Sequence, residues 1–569
     1  MSDNPYKNAF IQMMGSQGVI IPPSVIAKPM AEFLTAVADM VIPLEGQQLM
    51  VTSMLMLNGP LRTELPENLI RPLNDKLVAV IYEMMPHPPR NLAAQDFRSV
   101  DGADRLGAAY VPYAKSVIST KEYPKPPPAE EVFNKLMMRE QYYDKSNPPK
   151  RIGEKPLHNP DGLSSLTFAY GTLVIHSVFN SSLTDPSINE TSSYFDLSPL
   201  YGDDVAEQES VRNRTGRGML APDCFVDHRM LFLPPAAAAL LVVFNRNHNW
   251  IAQELLAKEG KDRKWVDPSE LIDDTTRRNK QDDEIFEIAR LVNCVHFVNI
   301  VITDYVGGVM GRTIRGGGWP LNAETFDRID LPDRALTYAQ DRTKLTVEDY
   351  LRAYRQMEQP NKDPKLRTFA GLVRDPVTKR FNDNDLAKLI HDATEAKAGM
   401  FRAHGTPLRY TSFKEWNGNE EVAKTASELY GGDIDRLELY PGLHAEGIVG
   451  DGLGVEYSPV RVNTMRNGLL LDAVALVNSS HHGLLTENYT PTGFADVQRD
   501  TSNKAYGGCI TNQHHKVHKL LFRTLPYGFP ENSVYSWFPM TTPNAMQDAL
   551  KNSPAFSYTR PTGIAPTSQ

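Results

Sequence analysis

The sequence predicts a mainly α-helical fold with few short strands, and three stretches carry that prediction. From Ser24 to Leu57 apolar residues recur at helical spacing, as at Val25, Ile26, Met30, Phe33, Leu34 and Val37. Ala236 to Leu255 reads as a second helix, opening just after Pro234-Pro235. Ile285 to Val306 is the strongest of the three: its apolar faces are too broad for a surface helix, so it is expected to be buried through much of its length.

At 569 residues, 41% hydrophobic and 23% charged, the chain is long enough to bury a substantial core, and its composition shows no seam between domains. The formal charge of −9 is mild and no long basic run occurs, which argues against nucleic acid as a partner. Cys224, Cys294 and Cys509 are odd in number and lack metal-ligand spacing, so reduced thiols in a cytoplasmic protein are expected. The N-terminus has no basic stretch followed by an apolar one. No apolar run reaches the ~18 residues of a spanning helix, and the nearest, Leu231 to Phe244, is interrupted by the proline pair. Contact with lipid would therefore be peripheral.

After the helical opening, Met85-Pro-His-Pro-Pro-Arg90 and Tyr123-Pro-Lys-Pro-Pro-Pro128 read as surface loops, with no repeat behind them. Between them Asp96 to Asp104 and Pro112 to Val117 read as irregular chain. His176 then ends an apolar helical run through Phe168, Tyr170, Leu173, Val174 and Ile175. A lone histidine on such a face is more often a core residue than a catalyst. The loop that follows, Thr191 to Gly202, is rich in hydroxyls around Asp196.

The helix with His176 and the loop after it resemble the distal side of animal-type haem peroxidases. The closer likeness is to the oxygenase domain of fungal linoleate diol synthases and psi-factor-producing oxygenases, which share the cyclooxygenase-like fold. The resemblance implies a haem-peroxidase-like helical domain over 85–569, preceded by an N-terminal helical extension over 1–84. It implies that His176 moves protons on the open face of a haem. It also implies that Ser192, Tyr194, Asp196 and Ser198 match a calcium site, in which an extended segment turns alternate oxygens inward. The family carries a further carboxylate directly after the distal histidine. Here that place is Ser177, which should weaken calcium affinity and leaves hydrogen bonding as the other way to hold the loop.

Further motifs continue the likeness. Arg229, in Asp223-Cys-Phe-Val-Asp-His-Arg229, stands near where peroxidases keep a distal arginine, in a shifted register. Arg246-Asn-His-Asn249 resembles a superfamily signature that ties helices together. Leu437 to Glu446, Leu471 to Leu476, Asn488 to Pro491 and Asn532 to Met540 resemble the family's closing passages. A cytochrome P450-like domain follows in the fungal diol synthases, so the oxygenase half alone is expected here.

The departure comes at Leu336-Thr-Tyr-Ala-Gln-Asp341. The family has Tyr-x-x-His here, the histidine ligating haem iron and the tyrosine supplying the radical that abstracts hydrogen from a fatty acid. Spacing of three residues puts both on one helix face. Tyr338 keeps the tyrosine place and Asp341 takes that of the histidine, exchanging a neutral imidazole for a hard carboxylate on a shorter stem. His391 and His404 are read as core or surface residues. The group His514, His515 and His518 is read as an exposed helix end, since no glutamate completes a zinc motif.

Two functions follow from this reading. One is a haem-dependent oxygenase acting on an unsaturated fatty acid or similar lipophilic substrate, with Tyr338 as the radical residue, as a possible homo-oligomer. The other is a haem-free or non-redox member of the fold that performs acid–base chemistry with His176, Tyr338 and Asp341.

Overall fold

The computed structural model describes residues 23–27, 32, 99–102, 108–113, 126–137, 162–192, 195–305, 362–396, 410–417, 420–438, 441–442, 517–529 and 533–550. Tyr338, Asp341, Tyr194, His404, His514 and His515 lie outside these residues, as does nearly all of the stretch from Ser24 to Leu57.

The helices in chain order are α1 (Pro23–Ile26), α2 (Ala129–Val132), α3 (Ser165–His176), α4 (Ser198–Tyr201), α5 (Val205–Val211), α6 (Pro235–Arg263), α7 (Thr275–Ile300), α8 (Asp383–Glu395), α9 (Phe413–Trp416), α10 (Glu420–Leu429), α11 (Val517–Thr524), α12 (Val534–Trp537) and α13 (Pro543–Leu550). Two small antiparallel pairs are the sheets found among the described residues. In one, β1 (Val111–Pro112) joins β2 (Ile188–Asn189); in the other, β3 (Arg212–Asn213) joins β4 (Met219–Leu220). The fold is thus mostly helical, as the periodicity predicts. The passage read as irregular supplies β1, which pairs with the chain just beyond α3.

The core is built on α6 and α7, and α3, α8 and α11 pack against α6. Pro235 opens α6, where its missing N–H leaves no intrahelical bond unmade. Every residue from Ala236 to Phe244 is buried, and the four alanines at 236–239 let neighbouring backbones approach closely. α7 starts ten residues before the predicted Ile285, capped by Asp274, whose side chain accepts from the Arg277 N–H at 2.9 Å. It ends in a π-helical turn, Val301–Tyr305. A separate apolar cluster joins Val132 and Leu136 to Phe413, Trp416 and Tyr430.

Buried polar groups fix the core's register. Arg246 donates to both Asp223 oxygens at 2.8 and 2.7 Å, to Asp383 Oδ1 at 2.6 Å and to the Phe381 carbonyl at 2.9 Å. One guanidinium therefore joins α6, the 221–227 loop and the start of α8. His248 Nε2 donates to the Gly218 carbonyl at 3.0 Å, so its Nδ1 is the acceptor for the Tyr201 hydroxyl at 2.9 Å. Burial pushes this imidazole down to about 3. The signature read as a helix tie is one.

Gly218, at φ +63°, must be glycine for a second reason besides its backbone angle: a Cβ there would stand 2.5 Å from the Phe286 nitrogen. Its N–H and that of Gly216 both donate to Asp282 Oδ1, at 3.0 and 2.8 Å. Two further arginines strap 366–381 onto the 222–227 loop. Arg367 donates to the carbonyls of Phe225, at 2.7 Å, and Val226. Arg374 donates to those of Pro222, at 3.1 Å, and Asp223, at 2.9 Å.

His391 stacks on Tyr535 at 4.2 Å and meets Phe529 edge-on at 4.7 Å, a packing role. His518 differs from the expectation of an exposed helix end. It is buried in α11, on the amphipathic helix's core face, and meets Phe522 edge-on at 5.7 Å.

Candidate functional site

His176 is the last residue of α3. The start of that helix is tied to distant chain: the Ser165 N–H donates to Ala396 O at 2.8 Å, and Thr167 Oγ1 to Met540 O at 2.9 Å. Midway, the Tyr170 hydroxyl donates to Phe297 O of α7 at 2.8 Å. A helix held at these points presents its final turn in a fixed place. Ser177, at the position of the family's extra carboxylate, donates back to Leu173 O at 2.6 Å and so serves its own helix end.

Beside the imidazole stands the Asp227 carboxylate, which the Arg229 guanidinium grips. Asp227 Oδ2 lies 3.4 Å from His176 Nδ1, close enough for an ionic contact but without an aligned hydrogen bond. Arg229 Nη2 donates to Asp227 Oδ2 at 2.8 Å and its Nε to both oxygens, at 2.9 and 3.0 Å, while Nη1 donates to Phe179 O at 3.2 Å. Asp227 also caps the 3₁₀ turn His228–Phe232 through the Arg229 N–H. Burial works to raise the Asp227 carboxyl, but His176 and Arg229 outweigh it and hold the group well below the usual carboxylate range.

The side chain of His176 keeps 18% of its surface exposed, between Ile175 at 56% and Phe179 at 53%. The Phe179 ring lies 6.1 Å from that of Tyr113, next to β1. The partly exposed imidazole thus stands in a passage that also exposes two apolar side chains.

In the loop expected to alternate its oxygens inward, Ser192, Asp196 and Ser198 are all buried. Phe195 and Leu197 both take positive φ, 59° and 56°, which breaks a regular extended run. Ser192 Oγ donates to Asp196 Oδ2 at 2.8 Å, whereas Ser198 turns to Thr191, its hydroxyl 2.7 Å from Thr191 Oγ1, which in turn donates to Asp203. Burial, joined by Asp196, Glu207 and Asp227, pushes Asp203 up to about 7 against the Thr191 hydrogen bond. Among the described residues no group of three or more histidine, cysteine or acidic side chains is arranged to hold a metal ion.

The structure therefore brings His176 and Arg229 together and places Ser192, Asp196 and Ser198 in a neighbouring hydrogen-bonded loop. The two sets meet through the backbone: the N–H groups of Val226 and Asp227 both donate to Pro199 O, at 3.0 and 2.9 Å. Sequence reasoning missed Asp227, Thr191 and Asp203. The signal for Asp227 was its place two residues before Arg229, the spacing at which a carboxylate can cap a turn and grip that turn's arginine. Cys224 and Cys294 are buried and unbridged.

No family model matches the chain. Among curated proteins it is 29% identical over 565 residues to the 7,8-linoleate diol synthase of Pyricularia oryzae, an alignment covering 84% of this chain and 46% of that one. To psi-producing oxygenase A of Aspergillus fumigatus it is 28% identical over 586 residues, covering 87% and 51%. These fungal proteins are its homologues, and the chain spans about half the length of the curated relatives it matches. Among solved structures, the fatty acid alpha-dioxygenase of Arabidopsis thaliana covers 99% of both chains at 12% identity with a TM-score of 0.48. Among the described residues no helix is long and apolar enough to cross a membrane.

Proposed function

We propose that this chain is a haem-dependent oxygenase that adds dioxygen to an unsaturated fatty acid or a similar lipophilic chain. The observation that carries this reading is the imidazole of His176. It is backed by Asp227 and Arg229 and flanked by exposed apolar side chains, in a chain homologous to linoleate diol synthases and psi-producing oxygenases.

The donor set around His176 fits the open face of a haem, because the imidazole answers to a carboxylate behind it and keeps a nitrogen for exchangeable protons. When bound, the haem supplies the one-electron oxidising power that hydrogen abstraction needs. His176 accepts and returns protons. Ile175 and Phe179 give the hydrocarbon an apolar surface. As a phenoxyl radical Tyr338 would take the bis-allylic hydrogen atom, dioxygen would add to the carbon radical left behind, and the peroxyl radical would take a hydrogen atom back from Tyr338, giving the hydroperoxide and restoring the phenoxyl radical. Asp341 would be the residue offered to the haem iron.

For the 192–198 loop we favour hydrogen bonds over a calcium ion as what holds it. The support is that Ser192 is joined to Asp196, and Ser198 to Thr191, within the loop itself.

The purified full chain should show a Soret band with stoichiometric iron and consume oxygen when given linoleic acid. A colourless, iron-free protein that consumes none overturns the reading.

A further inference from the structure

Arg229 was expected to meet the cofactor, yet its donors go elsewhere. Nε and Nη2 bind Asp227, and Nη1 binds Phe179 O in the turn after His176. Asp227 is itself held on three sides. Its N–H donates to Pro199 O, Arg367 grips the two preceding carbonyls, and its carboxylate, 9% exposed, carries the Arg229 fork. A carboxylate fixed this firmly has one imidazole beside it. His176 Nδ1 is shut off from solvent, with Asp227 Oδ2 3.4 Å away. The other charged groups acting on Asp227 are Arg367, Asp203 and Glu207.

An ionised carboxylate only accepts hydrogen bonds, so the ring nitrogen facing it is favoured with a proton on it. We propose that Asp227 is a positioning residue that holds His176 as the Nδ1–H tautomer, leaving the Nε2 lone pair free as the proton acceptor. Arg229 acts by immobilising that carboxylate rather than by meeting cofactor or substrate. This rests on the reading of His176 as the acid–base residue. It adds which nitrogen works and what keeps it so.

The test is ¹⁵N NMR of the full-length protein labelled at histidine, with the His176 signals assigned by their loss in His176→Gln. The expected result is a protonated Nδ1 and an unprotonated Nε2. Asp227→Asn, whose amide can donate to the ring, should move the proton to Nε2 or mix the two tautomers, and Asp227→Glu should restore Nδ1–H. With linoleic acid, Asp227→Asn should lower kcat about 100-fold or more with KM little changed. A wild-type Nε2–H signature overturns the proposal, and so does an Nδ1–H signature that survives Asp227→Asn. If Asp227→Asn does not fold, the wild-type spectrum still decides. The spectrum needs neither substrate nor turnover, so an Nδ1–H ring in a protein without oxygenase activity overturns the functional reading and leaves this one standing.

Discussion

Acid should weaken this fold in part through one buried ring, that of His248. His248 has an ordinary value of 6.5 and is pushed down to about 3, first by burial and then by the nearby Arg212 and Arg290, against the Gly218 carbonyl. Between those values the unfolded chain binds a proton that the native ring refuses, so stability falls as pH falls through that window and is fully present above it. At pH 4.5, two units below the unfolded value, the loss attributable to this ring is about 3 kcal/mol.

The measurement is urea unfolding of wild type and His248→Gln from pH 7.5 to 4.5. His391, lowered to about 4, works in the same direction. Asp203, raised to about 7, works in the opposite one, because its stabilisation is present at low pH and is lost as pH rises through 7. Both remain in the variant and cancel in the difference. The gap between the two proteins should shrink by ~2–3 kcal/mol on acidification. Curves that stay parallel across the range would refute the claim that this ring stays neutral in the folded protein.

Three further outcomes follow from the same framework. Gly218→Ala should destabilise by about 2 kcal/mol or more, because it adds left-handed strain to a collision with the Phe286 backbone, and thermal unfolding reads the loss. Arg246→Met should cost about 3–5 kcal/mol in urea, since it leaves Asp223 buried and charged without its guanidinium, and Asp223→Asn in the same chain should recover part of it. Removing divalent ions with EGTA should leave the melting temperature unchanged, because the 192–198 oxygens bond to one another; a drop of several degrees would return calcium to the loop.

Helix existence was legible wherever a buried face imposed a period, as in α6 and α7. Their boundaries were not, because α7 begins with Thr275 to Glu284, a polar stretch whose helicity depends on the Asp274 cap and on Asp282 and Gln281 bonding to the Gly216–Gly218 turn. The role proposed for His176 rests on resemblance, since nothing in its own apolar run separates a working imidazole from a packed one. Asp227 was illegible for a different reason. Its role depends on three partners from separate passages, His176, Pro199 and Arg367, and linear spacing carries none of them. His518 misled because the residues before Val517 are polar and rich in histidine, whereas the helix they lead into buries one face, with His518 on it beside Phe522.

The straps formed by Arg367 and Arg374 have a consequence for how this protein can change. They grip main-chain carbonyls, which every residue type possesses, so substitutions in 222–227 leave the grip intact while loss of either arginine does not. The passage 366–381 lies nearly two hundred positions downstream of the imidazole, yet it sets the seat of the carboxylate behind that ring. A lengthening or shortening of the chain just before it would be transmitted to that carboxylate without altering any residue that touches the ring.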